Sequence, residues 1–161
     1  MIITLFKKID KTFFIFLLLK LIVMPAHAQF EQGLCNNGTV YVPAYSHVYY
    51  GNRQSEFMLT VTLSVRNTDL QNKISITSVD YYDNNGKLIK KYLKSSRSLD
   101  PLESFHITIP EKDVTGGFGA NFLVKWESRQ QINSPLMESV MIGTASSQGV
   151  SFVSRGREIN P

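Results

Sequence analysis

Cysteine is nearly absent from this chain of 161 residues: Cys35 is the only one. A single thiol cannot close an intrachain disulfide, so stability has to come from a packed core rather than from covalent staples. The same scarcity excludes a zinc site built on several thiolates. Long helical periodicity is also missing, and so is any extended run of one charge. The formal net charge is +4, but Lys7, Lys8, Lys11 and Lys20 sit in an N-terminal leader whose only acid is Asp10. Removing those four from 17 basic residues leaves 13, removing Asp10 from 13 acidic residues leaves 12, and the remainder carries +1. A near-neutral domain lacks the clustered cations whose counterion release drives polyanion binding, so no nucleic-acid partner is expected. A 43% hydrophobic and 11% aromatic composition excludes a disordered chain.

What is present begins with an export address. Lys7, Lys8 and Lys11 form a charged n-region, Phe13 to Met24 an apolar h-region, and Pro25-Ala26-His27-Ala28 a small-residue cleavage site. The pattern predicts a helical signal peptide over residues 1–28, cut after Ala28, followed by a flexible segment over 29–38 and one β-domain over 39–161. Lys20 interrupts the apolar run and shortens it below the roughly 18 to 20 residues of a stable span. No later segment is long and apolar enough to replace it, so no transmembrane span is expected after signal removal. Lipid attachment at Cys35 would need a small residue immediately before it, and Leu34 stands there instead. Asn37-Gly38-Thr39 matches a glycosylation sequon, which matters only in a eukaryotic secretory pathway.

Beyond the leader the apolar period is two. Phe57, Leu59, Val61, Leu63 and Val65 alternate with Met58, Thr60, Thr62, Ser64 and Arg66, the clearest strand in the chain. A second strand is predicted from Val40 to Tyr50 and a third from Ile74 to Tyr82, whose apolar phase slips between Ile76 and Val79, as at a bulge. Asp83-Asn84-Asn85-Gly86 then reads as a hairpin turn in which Asn-Gly supplies positive φ angles, leading into Leu88–Leu93. Further strands are predicted around Phe105–Ile109, Ala120–Trp126, Val140–Ile142 and Val150–Ser154. The sum is an antiparallel, immunoglobulin-like β-sandwich of about seven to eight strands, with a barrel as the alternative.

Catalytic chemistry finds little support. Only His47 and His106 follow the leader, and no serine lies in a strand-to-helix nucleophile elbow, so no catalytic residue is assigned. A hydrolase built on either histidine, or on acids drawn from Asp80, Asp83, Glu103, Asp113 and Glu127, is one alternative function. A metal carrier is the other, yet Met137 and Met141 would stand roughly 13 Å apart at about 3.3 Å per strand residue. A calcium loop starting at Asp80 would put Tyr82 and Lys91 where oxygen ligands belong. Gly116-Gly117-Phe118-Gly119 precedes a strand rather than a helix, which removes the mechanism by which glycines cradle phosphate. No metal site and no cofactor are expected.

The sharpest binding signal is a row of Tyr41, Tyr45, His47 and Tyr49 on one face of the predicted first strand, opposite Val40, Val42, Ala44 and Val48. Pro43 marks that strand as an edge. Arg155 and Arg157 add a cationic pair near the C-terminus. These six residues are the candidate site, and the partner class is another envelope protein or an extracytoplasmic ligand.

Longer motifs add a resemblance. Tyr41 to Tyr49 (YVPAYSHVY), Ser64 to Asp69 (SVRNTD), Ser75 to Ile89 (SITSVDYYDNNGKLI), Leu99 to Ser104 (LDPLES), Gly116 to Trp126 (GGFGANFLVKW), Val140 to Thr144 (VMIGT) and Gln148 to Gly156 (QGVSFVSRG) resemble, in order, the bacterial domain of unknown function 3124. The resemblance implies an exported bacterial protein, some of whose relatives are lipid-anchored, and brings no catalytic or binding residue with it. The order of strand, hairpin and Leu99-to-Ser104 entry is also similar to immunoglobulin-like extracytoplasmic domains. Together these readings imply a non-enzymatic interaction module in the periplasm or at the cell surface.

Overall fold

The computed structural model describes residues 33–144 and 149–159. The expected signal peptide, its cleavage site and residues 29–32 lie outside them. Among the described residues there is no helix, hence none long and apolar enough to cross a membrane. The elements are β1 (Cys35–Pro43), β2 (His47–Tyr50), β3 (Ser55–Met58), β4 (Thr60–Arg66), β5 (Ile74–Tyr82), β6 (Leu88–Lys91), β7 (Arg97–Leu99), β8 (Ser104–Ile109), β9 (Asn121–Ile132), β10 (Leu136–Gly143), β11 (Val150–Arg155) and β12 (Arg157–Ile159).

Every pairing is antiparallel. One sheet runs β12-β1-β9-β5-β6, with β7 also on β5; a second runs β11-β10-β4-β8; β2 and β3 form a separate hairpin. Both sheets contribute to one apolar cluster, in which Val40, Val42, Ile76, Val124 and Trp126 of the first meet Val61, Leu63, Val65 and Met141 of the second. Burying a Leu or Val side chain completely, as at Leu63, contributes about 1.5–3 kcal/mol. Ser139, itself fully buried, ties the sheets by donating its hydroxyl to the Pro43 carbonyl. Gly156 lets β11 turn into β12: its N–H donates to the Met137 carbonyl at 2.8 Å, and a Cβ there would lie 2.6 Å from Val40 Cγ1.

The period-two reading survives at residue resolution. Phe57, Leu59, Val61, Leu63 and Val65 are all buried, although the chain breaks pairing at Leu59 and leaves β3 for β4. The slip in β5 is a bulge: Ile76 pairs with Trp126 and Ser78 with Lys125, so Thr77 is the extra residue.

Four expectations need correction. Cys35 to Gly38 are not a loose segment but the start of β1, paired with β9. The predicted Val40–Tyr50 strand is two strands: the β1–β9 ladder passes through Pro43↔Asn121, ends with the Ala44 amide on the Ala120 carbonyl, and the chain departs through Tyr45-Ser46. In the β5–β6 turn only Gly86 takes a positive φ, +75°; Asn85 does not. Gly86 N–H closes a turn on the Asp83 carbonyl at 3.0 Å, while the Asp83 carboxylate accepts from the Asn85 and Lys87 amides at 2.9 and 2.8 Å. This is a turn closed by a left-handed glycine, not a two-residue Asn-Gly loop. Finally, twelve strands are present among the described residues rather than seven to eight: the expected Val40–Tyr50 and Phe57–Val65 strands each divide in two, and β7 and β12, three residues each, are too short to show a period.

Candidate functional site

After Pro43 the backbone turns across the end of the first sheet. The Ala44 amide donates to the Ala120 carbonyl at 2.8 Å and the Leu59 amide to the Ser46 carbonyl at 2.9 Å, which hold the β2–β3 hairpin against the domain. The crossing reverses the strand's phase. Val42, Ala44 and Ser46 point inward, and then His47 is buried while Tyr49 and Tyr50 emerge at 51% and 57% exposure.

The second component is Phe118, 45% exposed, from the loop between β8 and β9. Its glycines answer to close approaches. Gly117 has φ +75° and faces the Asn84 side chain, and Gly116 packs on the Tyr81 hydroxyl while its carbonyl accepts from the Asn84 amide at 3.0 Å. Gripped from beneath, the loop presents the Phe118 ring to the hairpin. Ring centroids lie 5.2 Å from Tyr45, 5.7 Å from Tyr49 and 6.2 Å from His47, and His47 and Tyr49 meet edge-on at 5.0 Å. Tyr45 also packs on Phe152 of β11 at 5.7 Å. Pairs of this kind add about 0.5–1.5 kcal/mol beyond their buried area, so the rings hold one another in place while two stay open to solvent.

The tyrosine row of the sequence is therefore divided. Tyr45, His47 and Tyr49 come together around Phe118. Tyr41 does not join them: it lies on the outer face of the first sheet, paired across β1–β12 with Arg157. Arg155 and Arg157 are not a pair either, because Gly156 separates them onto different sheets, and Arg155 stands opposite Glu138 on β10. Strand alternation does not mark Phe118, which joins this cluster; the signal the sequence offers is a large aromatic inside a glycine-rich loop, where core packing does not require one.

His47 has the surroundings of a hydrolytic base. Its Nδ1 is 3.0 Å from Ser46 Oγ and its Nε2 is 3.8 Å from Glu56 Oε1, where it has no hydrogen-bond partner. Ser46 is 1% exposed, so no substrate carbonyl can reach that hydroxyl, and the arrangement works as packing rather than as nucleophilic catalysis. His106 is exposed on β8, opposite Ser64. Among the described residues no three His, Cys, Asp or Glu side chains gather as metal ligands would. The Arg66–Asp69 motif is structural. Buried Asn67 donates to the carbonyls of Asn72 and Asp100 at 2.8 and 3.0 Å, and Asp69 accepts the Gln71 and Asn72 amides at 2.8 and 2.7 Å. Those backbone donors hold the Asp69 carboxyl below its usual range.

A family model described as "Protein of unknown function (DUF3124)" matches residues 37–159, a range that takes in the Pro43 exit, the Asp83–Gly86 turn, the Gly116–Gly119 loop and the Gly156 kink. The chain belongs to the DUF3124 family. No curated protein matches it. The crystal structure of Thermotoga maritima 1070 is similar at 11% identity and TM-score 0.45, over 78% of this chain and 95% of that one, too distant a likeness to assign detail.

Proposed function

We propose that this DUF3124 protein is a non-enzymatic binding module, exported by a bacterium, that docks another envelope protein through Tyr45, His47, Tyr49 and Phe118. The observation that carries the reading is the gathering of Tyr49 and Phe118, both half exposed, into one cluster by two separate loops. Scattered exposed rings need no explanation, whereas exposed aromatic rings fixed side by side, one of them carrying a hydroxyl, are the composition of a protein interface. Tyr50, also exposed, turns to the other face of the hairpin, where it packs at 6.2 Å on buried Phe57, and lies outside the cluster. Two antiparallel sheets sharing one core support an immunoglobulin-like sandwich as the scaffold, and residues 1–28 support export.

Tyr49 and Phe118 are the residues to replace, since Tyr45 is half-buried against Phe152 and its loss would disturb the fold. The test is retention of native partners from envelope extract by immobilised protein. Tyr49→Ala with Phe118→Ala should abolish a band that wild type retains, at unchanged circular dichroism; retention equal to wild type overturns the reading.

A further inference from the structure

At the opposite end of β1 from the aromatic cluster, the first sheet carries a second feature that the sequence did not announce. Over most of their length β1 and β9 pair in step, but between Asn37↔Glu127 and Cys35↔Ile132 the first strand advances two residues while the second advances five. The extra residues of β9 bow out of the ladder. Together with the β4–β5 loop at Gln71–Lys73, the bow walls a groove of about 840 Å³.

Its floor is set by register. Asn37 pairs with Glu127, Glu127 with Ser75, and Ser75 with Ser98, so four strands place four polar side chains in one row across the outer face of the sheet. Neighbouring strands are about 4.8 Å apart, which makes the row roughly 14 Å long. Asn72 and Arg129 flank it. We propose that this groove binds an oligosaccharide chain lying across the strands.

The chemistry of the lining selects that class. Carboxamides and serine hydroxyls both donate and accept, a carboxylate accepts twice, and a polyhydroxylated ligand offers donors and acceptors in the same mixture. A peptide would look for apolar pockets to seat its side chains. The single aliphatic residue of the lining, Ile74, is 1% exposed and turned to the core. A phosphate backbone fits no better: Lys73 is paired with Asp100 at 2.7 Å, and Glu127 puts a negative charge in the middle of the row. Asn37 to Tyr45 spans eight residues of chain, most of it strand, or about 26 Å at 3.3 Å per residue, so this groove is separate from the aromatic cluster and stands whether or not that cluster docks a protein.

The test titrates the full chain with cello-, chito- and malto-oligosaccharides of two to six sugar units by calorimetry, with a random extended-peptide library as the competing class. Glu127→Gln and Asn37→Ala alter exposed side chains on the outer face, and thermal melts establish that each variant remains folded. The expected result is saturable binding of at least one oligosaccharide series, strengthening up to about three or four units and weakened tenfold or more in each variant, with Tyr49→Ala unchanged. Absence of binding to every sugar, equal affinity in the Glu127→Gln and wild-type proteins, or selection of peptides that bind through Glu127 and Asn37 overturns it.

Discussion

Nε2 of His47 stands 3.8 Å from Oε1 of Glu56 across the β2–β3 hairpin and is buried there without a hydrogen bond. The imidazole is held by what surrounds it rather than by this carboxylate: Ser46 Oγ lies at Nδ1, and the rings of Tyr49 and Phe118 lie against its flanks.

The two partners should therefore differ in cost. The Glu56 side chain is 47% exposed, so Glu56→Ala should change unfolding free energy by less than about 1 kcal/mol. His47→Ala should cost about 1–3 kcal/mol and loosen the ring cluster. Urea unfolding of both variants measures this, and equal losses would show that the ion pair carries the hairpin.

Tyr81 predicts an alkaline limit to stability. Its hydroxyl is buried without a partner, and burial, followed by the nearby Asp113 and Tyr92 charges, pushes the phenol well above its usual value. Tyr92 moves the same way, through burial and then Asp113. The neutral phenol is the form the fold favours, so its contribution is complete below the unfolded tyrosine value of about 10 and is lost as pH rises beyond it toward the folded value. Tyr81→Phe removes an unsatisfied hydroxyl from the core and should leave stability at pH 7 equal to wild type or higher. It should also flatten the decline between pH 9 and 11, with a remainder from Tyr92. A variant that is less stable at pH 7 and declines as steeply would sink the account of Tyr81.

Two glycines should respond oppositely to one methyl group. A Cβ on Gly156 would meet Val40 Cγ1 at 2.6 Å and the Met137 carbonyl at 2.9 Å, while one on Gly149 would meet nothing within 4 Å. Gly156→Ala should cost about 1–3 kcal/mol through overpacking where the two sheets approach. Gly149→Ala should be neutral, or stabilise by about 0.4–1 kcal/mol by restricting the unfolded chain. Thermal melts of the pair decide it.

What the sequence disclosed was local. The alternation from Phe57 to Val65, the slip at Thr77 and the turn at Asp83–Gly86 are each written within ten residues, and each stands in the structure close to where the pattern put it. What it concealed depends on register between distant segments. Phe118 joins Tyr49 only because Asn84 and Tyr81 grip its loop, and Asn37 reaches Ser98 only through β9 and β5. Tyr41 lies apart from the ring cluster for the same kind of reason: alternation continues through Pro43 on paper, while the ladder ends at Ala44 and the chain turns away.

Photo-crosslinking in living cells tests the central claim most directly. A benzoylphenylalanine at position 49 would sit within the exposed ring cluster, and one at Lys90, on β6, would report a polar edge of the first sheet. The account predicts a discrete protein adduct from position 49 that disappears when Phe118→Ala is added, and none from position 90. Equal adducts from both positions, or an adduct at 49 indifferent to Phe118, would contradict it.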